Sequence, residues 1–384
     1  MQPPRRDRVG EFDTKEKISR DSRETESRKK TNKMEGILHR ELFNTSWNLH
    51  RLSPLHHGKE FATLLNNQVA LKAYATRLRD QLTGDVLAGL HIPTSTTEDE
   101  TLSRTGSLID CRWEFLSTKQ EPRKSSLSGI LVTLEYENIT CKAALLTDSA
   151  AADDAAATAS ISATKKAERS GVTILPLLLT KFPTALRQTF ITFLQSTFDA
   201  YCSNLRLSSA FLCTGLEIFL EELRGSRDGA SADHLVEEVL KDLQLSLAFS
   251  SSIAPALRNL SVNIARDSLV GFLQVPSEVP VAQRKPKSIL IANLSAYLEK
   301  HLAMKVDLDG SLQNKVSRQH VRLAKVACAA FVLGSEGRMK LVVGTAQMGE
   351  DDDEERRVSP SVKASETLLR AIIRKATLAD LGTT

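Results

Sequence analysis

The chain has no apolar run long enough to cross a bilayer. Its longest, at residues 174–179 and 326–333, fall far short of the roughly 20 residues a spanning helix needs. Cysteine is sparse and badly spaced for metal: Cys111, Cys141, Cys202, Cys213 and Cys328 form no CxxC pair, which argues against a zinc ribbon. Four of the five sit in apolar runs, where a free thiol acts as a small hydrophobe. An odd count behind a polar N-terminal stretch, with no apolar signal core, fits a reducing compartment. These absences read as a soluble intracellular protein with no membrane partner. Catalytic signatures are missing too: there is no P-loop, GxGxxG, GxSxG or HExxH. His56 and His57 are the only adjacent pair among eight histidines, and neighbours on a strand or loop point apart. Asp153-Asp154 and the run Asp351, Asp352, Asp353 lack the glycine turn of a calcium loop. No cofactor, metal or catalytic residue is nominated, so an enzyme would need an unmarked site assembled from residues distant in sequence.

The 384 residues carry a net charge of +4, all of it within residues 1–33, which hold 11 basic and 7 acidic side chains. The remainder is balanced at 40 of each sign. A dedicated nucleic-acid domain has a basic footprint, so contact with nucleic acid must come from a local patch or from the tail. Residues 1–36 are charged and nearly free of large apolar side chains, and are expected to be a disordered basic tail. Arg28, Lys29, Lys30 and Lys33 suit an import signal or a DNA-tethering arm, although a solvated charge run is the simpler reading. Residues 37–384 are expected to form one large unit interrupted by two flexible insertions, Ala-rich at 149–170 and acidic at 347–359.

Within that unit, Trp47, Leu49 and Arg51 alternate with Asn48 and His50, a strand pattern stopped by Ser53-Pro54. Helical spacing follows in Phe61, Leu64, Leu65, Val69, Leu71, Leu78 and Leu82. Residues 108–117, 127–136 and 139–146 read as three strands, the last two joined by Glu137-Asn138 as a hairpin, hence an antiparallel meander. A buried strand is expected at 172–179, then a helix opened by Pro183. Residues 208–220 fit strand or helix. A helix near 234–243, a strand on Leu260, Val262 and Ile264, a helix from Ile289 to Leu302 and a short strand at 305–308 complete the middle. Residues 321–333 and 339–345, joined by 334–337, read as a hairpin, and Ser359-Pro360 as the start of a last helix carrying Leu368, Leu369, Ile372, Ile373 and Ala376.

Several of these segments together resemble the centromere protein L family. They are Trp47, Leu49 and Ser53-Pro54-Leu55 ahead of an amphipathic helix; LPLLL at 175–179; the sequence Thr197-Phe198-Asp199-Ala200-Tyr201 ending the next helix; and the late helix, strand and hairpin ending in Gly337-Arg338-Met339-Lys340-Leu341. The resemblance implies an α+β fold, a curved, mostly antiparallel sheet with helices packed on it, and a strand at the start of 208–220. It also implies a non-enzymatic inner-kinetochore subunit of the nucleus, paired with a centromere protein N homologue. That pair would connect centromeric nucleosomes and DNA to other inner-kinetochore subunits.

Two surfaces are candidate sites. Arg318, His320 and Arg322 alternate with Gln319, Val321 and Leu323 and would share one strand face; with Arg284, Lys285 and Lys287 they suggest a DNA-facing groove. An ordinary exposed sheet face is the alternative. The second is the strand Met339, Lys340, Leu341, Val342 and Val343, which would bind a partner's strand if its backbone is free on one side. An internal strand paired on both sides is the alternative. Two other classes stay open: an autonomous DNA-binding protein, and an enzyme whose deep pocket holds a perturbed titratable group.

Overall fold

The computed structural model describes residues 41–87, 105–117, 127–148, 171–225, 230–252, 256–273, 289–302, 308, 320–343 and 359–378. The tail, most of both expected insertions and the basic linker at 284–287 lie outside these residues, and so does Arg318. β1 (Ser46–Leu52) is the organising strand. Trp47 and Leu49 turn to one face and are 1 % exposed. The Trp47 indole Nε1 donates to the Leu42 carbonyl at 2.8 Å, so the ring is buried without orphaning its polar atom. Pro54 ends the strand as expected, and Ser53 ties the turn to the chain near residue 201. Its N–H donates to the Tyr201 carbonyl at 2.9 Å, while its hydroxyl accepts from the Tyr201 N–H at 2.7 Å.

A short β2 (Leu55–His56) follows and pairs with β6 (Val172–Thr173). The helix α1 (Gln68–Leu87) starts later than the apolar spacing predicts. Asn67 fixes the start, its side-chain carbonyl accepting from the Ala70 N–H at 3.1 Å. Phe61, Leu64 and Leu65 therefore precede the helix, and Val69 points outward at 73 % exposure. β3 (Leu108–Ser117), β4 (Leu127–Tyr136) and β5 (Thr140–Asp148) form the expected meander. The stretch expected as one strand at 172–179 is divided at Pro176, which cannot donate to a ladder, leaving β6 and β7 (Leu177–Lys181). α2 (Thr184–Phe198) begins right after Pro183 and ends where Asp199 turns left-handed at φ 47°.

The second half follows: β8 (Cys202–Asn204), α3 (Ser209–Gly225), α4 (Ala230–Leu240), β9 (Leu243–Phe249), β10 (Asn259–Ile264), α5 (Arg266–Leu273), α6 (Ile289–Leu302), β11 (Val321–Ala327), β12 (Phe331–Gly334), β13 (Arg338–Leu341) and α7 (Pro360–Leu378). One eleven-stranded sheet runs β10-β9-β11-β12-β13-β1-β7-β5-β4-β3, with β8 also on β1. Every pairing among the described residues is antiparallel. The architecture is thus α+β, as expected.

Four further expectations are corrected. The start of 208–220 is helix, because Leu212, Cys213, Leu216, Phe219, Leu220 and Leu223 recur at helical spacing on one buried face and Ser208 caps it. The helix near 234–243 ends at Leu240, and Leu243 opens a strand the sequence reading did not separate from it. The long strand 321–333 is two strands, folded back at residues 328–330, so the expected hairpin is β12–β13. Leu308 is in no strand, and residues 305–307 are outside the described set.

Two cores lie on opposite faces of the sheet. The larger one joins Trp47, Leu49, Leu177 and Leu179 with β9–β13 and helices α3 to α7. The smaller one packs α1 and α2 on the β3-β4-β5-β7 half through Trp113, Tyr74, Phe190, Phe193 and Phe198, with Tyr74 and Phe198 rings 4.7 Å apart. Helices thus cover both faces at the β3 end. At the β10 end the described helices cover only the larger-core face.

Candidate functional site

The register of the β10 end sorts its side chains strictly. Leu243, Leu245, Leu247, Leu323, Val326, Phe331, Leu333, Met339 and Leu341 are buried in the larger core. The opposite face carries Asn259, Ser261 and Asn263 from β10; Gln244, Ser246 and Ala248 from β9; Arg322 and Lys325 from β11; Val332 from β12; Arg338 and Lys340 from β13; and Ser46 and Asn48 from β1. None of these is buried. A bulge between Leu323 and Lys325 makes this possible: Ala324 is the extra residue, and with unbroken alternation from Leu323 Lys325 would point into the core. The Ala324 carbonyl is satisfied by the Ser335 N–H at 2.7 Å.

Four cations therefore share one face. Arg322 forms an exposed ion pair with Glu336 at 3.2 Å, and the Lys325 ammonium donates to the Gln244 carbonyl oxygen at 3.4 Å. Arg338 and Lys340 have no carboxylate partner among the described residues. Exposed ion pairs contribute little stability, so the cluster is better suited to a polyanion than to holding the fold. Arg322 is on this face as the sequence reading expects. His320 is not a strand residue; it lies just before β11, half-buried, with Nδ1 3.0 Å from the Ser250 hydroxyl. Arg284, Lys285, Lys287 and Arg318 lie outside the described residues. Lys325 and Arg338 were missed because Lys325 reads as core-facing until the bulge is known, and Arg338 sits beside a turn.

The strand at Met339 is no open edge. β13 is paired on one side with β12 and on the other with β1, so its backbone groups are already used. Met339, Leu341 and Val343 are buried; Lys340 and Val342 are half-buried. The reading of Met339, Lys340, Leu341, Val342 and Val343 as a backbone-pairing strand is corrected accordingly. Among the described strands, the main sheet path ends at β3 and β10, with β8 branching from β1. β3 carries Asp110, Arg112 and Glu114, charges that discourage strand addition. The six residues of β10 have no charge, and its outer side has no strand partner among the described residues.

Chemistry is sparse elsewhere. Among the described residues there is no cluster of three metal-ligating side chains, and no helix is long and apolar enough to cross a membrane. Burial pushes the thiols of Cys111 and Cys202 up to about 12, away from nucleophilic reactivity. One polar cavity, beside β1, holds His50, whose pKa falls to about 4 through burial and then the nearby Arg187 cation. No carboxylate lines it to complete an acid–base pair. No curated protein matches the chain. The sequence model of the centromere protein L family matches residues 41–377, nearly the whole chain, and the protein belongs to that family.

Proposed function

We propose that the protein pairs with a centromere protein N homologue through the open β10 edge and lays its basic sheet face along centromeric DNA. Family membership makes it a non-enzymatic kinetochore protein of the nucleus, acting at centromeres in chromosome segregation alongside other kinetochore subunits. The finer reading rests on one observation: the uncharged, one-sided edge strand adjoins the only sheet face in the described structure that helices leave open and that gathers four cations. Strand addition at β10 would extend the sheet, and with it the face, into the partner. A stable pairing of this kind needs an interface on the order of 2,000 Å² or more. The six residues of β10 supply only part of that, so the flanking surface must take part. The balanced charge of the chain beyond residue 33 favours a polyanion contact made by the complex over one made by the chain alone.

Co-expression with the homologue, followed by size-exclusion chromatography with light scattering, tests the pairing, and a one-to-one complex is expected. In that complex the amides of residues 259–264 should exchange at least about tenfold more slowly than in the free chain. Slowing elsewhere with no change at β10 would move the partner to another surface. If the lone chain binds DNA as tightly as the complex does, the autonomous DNA-binding reading replaces this one.

A further inference from the structure

β1 carries His50 on the same face as Asn48, at the border between the half of the sheet covered by α2 and the half left open. There, between α2 and β8, lies a cavity of about 280 Å³. Its floor is the His50 ring, 2 % exposed. Nε2 of that ring is 3.0 Å from the Thr180 hydroxyl, whereas Nδ1 is buried with no hydrogen-bond partner of good geometry. A buried polar atom left unpaired is costly and uncommon. The walls add Arg187, Thr192 and Gln195 from α2, and Ser203 and Asn204 from β8. Arg187 is half-buried, and its guanidinium makes only a long contact among the described residues, 3.5 Å to the Thr184 hydroxyl in the same helix. No acidic side chain lines the space. The lining is thus polar side chains around one cation, with a buried ring nitrogen at the bottom that only the Asn204 side chain approaches.

We propose that this cavity binds a phosphate monoester carried on a side chain, a phosphorylated serine or threonine of a partner peptide. Burial and the Arg187 charge keep His50 neutral near pH 7, the Asn204 amide offsetting only part of that effect. In the neutral ring, Nε2 accepts the Thr180 hydroxyl proton and Nδ1–H donates upward to the anion. The Arg187 guanidinium supplies the paired N–H groups that fit a phosphate. The Ser203 and Thr192 hydroxyls and the Asn204 and Gln195 amides complete the shell. A flexible side chain can reach a ring at 2 % exposure; a duplex, whose phosphates are fixed on a stiff rod, cannot. Tyr201, 69 % exposed, stands directly before the β8 wall, and offers an apolar surface for the residue next to the phosphate.

The test uses the full-length protein with ring-labelled histidine, the His50 resonance being identified by its loss in His50→Gln. Inorganic phosphate, N-acetyl-phosphoserine amide, N-acetyl-serine amide and a duplex DNA are titrated separately. N-acetyl-phosphoserine amide should move the His50 signal at lower concentration than inorganic phosphate does, and N-acetyl-serine amide should not move it. Arg187→Gln should weaken the phosphoserine response by about tenfold or more, the loss expected for one charge-assisted hydrogen-bonded contact. Arg206→Gln, an exposed change outside the cavity, should leave it unchanged. The proposal fails if no ligand moves the signal, if Arg187→Gln responds like the wild type, if inorganic phosphate binds as well as the phosphoserine amide, or if the duplex alone moves it.

Discussion

Asn44 does with its side chain what a strand does with its backbone. Its carbonyl oxygen accepts from the Val343 N–H and its amide donates to the Val343 carbonyl, both at 3.0 Å, across 299 residues. The backbone N–H of Asn44 adds a bond to the Leu341 carbonyl at 2.7 Å. Asparagine also tolerates the left-handed φ of 57° found there. Asn44→Ala should therefore cost about 2 kcal/mol, two modest hydrogen bonds plus strain, in urea unfolding. Trp47→Ala should cost about 3–5 kcal/mol by the same measurement, because it empties the centre of the larger core. His50 governs pH dependence with a definite sign. Its folded pKa of about 4 lies below the free value of 6.5, so the unfolded chain binds the extra proton as pH falls. The stability it supports is complete above pH 6.5 and is lost between about 6.5 and 4. The full shift corresponds to about 3 kcal/mol, and solvent reaching the cavity reduces that to about 2. His50→Gln should flatten the denaturation midpoint over that window; an unchanged slope would mean another group titrates there.

At the scale of elements, the β12–β13 turn is tightly constrained. Gly337 has φ 79°, and a Cβ there would lie 2.4 Å from the Leu205 carbonyl oxygen. Its own carbonyl accepts from the Leu49 N–H at 2.7 Å. Gly337→Ala should then disturb both β1 and β13, costing about 3 kcal/mol or more and broadening the thermal transition. The hydrophobic spacing made the meander β3–β5, α2, α6 and α7 legible, since each has an apolar face running over nine or more residues. Boundaries at caps and breaks were less legible. The apolar run starting at Phe61 looks helical, yet Asn67 decides where α1 begins. Likewise 208–220 carries enough β-branched and aromatic residues to read either way, and the burial of its helically spaced face in the larger core selects helix. There the Ser209 hydroxyl accepts the Leu323 N–H at 3.0 Å, tying helix to strand.

At the scale of the molecule, four aligned cations give a quantitative expectation for the complex. If Arg322, Lys325, Arg338 and Lys340 each meet a phosphate, they contribute about −3.6 to the slope of log K against log salt. Each change to glutamine should make that slope shallower by about 0.9, with little effect on stability because none of the four is buried. A slope that does not respond would take DNA off this face. Charge counting alone had identified only Arg322 among them, because which face a strand residue occupies depends on register, and a single bulge reverses it. By itself the sequence determined the α+β class, the antiparallel meander, most helices and the family, because those follow from local periodicity, turn chemistry and the order of a few motifs. The tertiary structure alone decided that β13 is internal and β10 is the edge, that the four cations converge, and that His50 sits at the bottom of a polar cavity. Each of these depends on which distant segments become neighbours, and that is settled only when the cores pack on the two faces of the sheet.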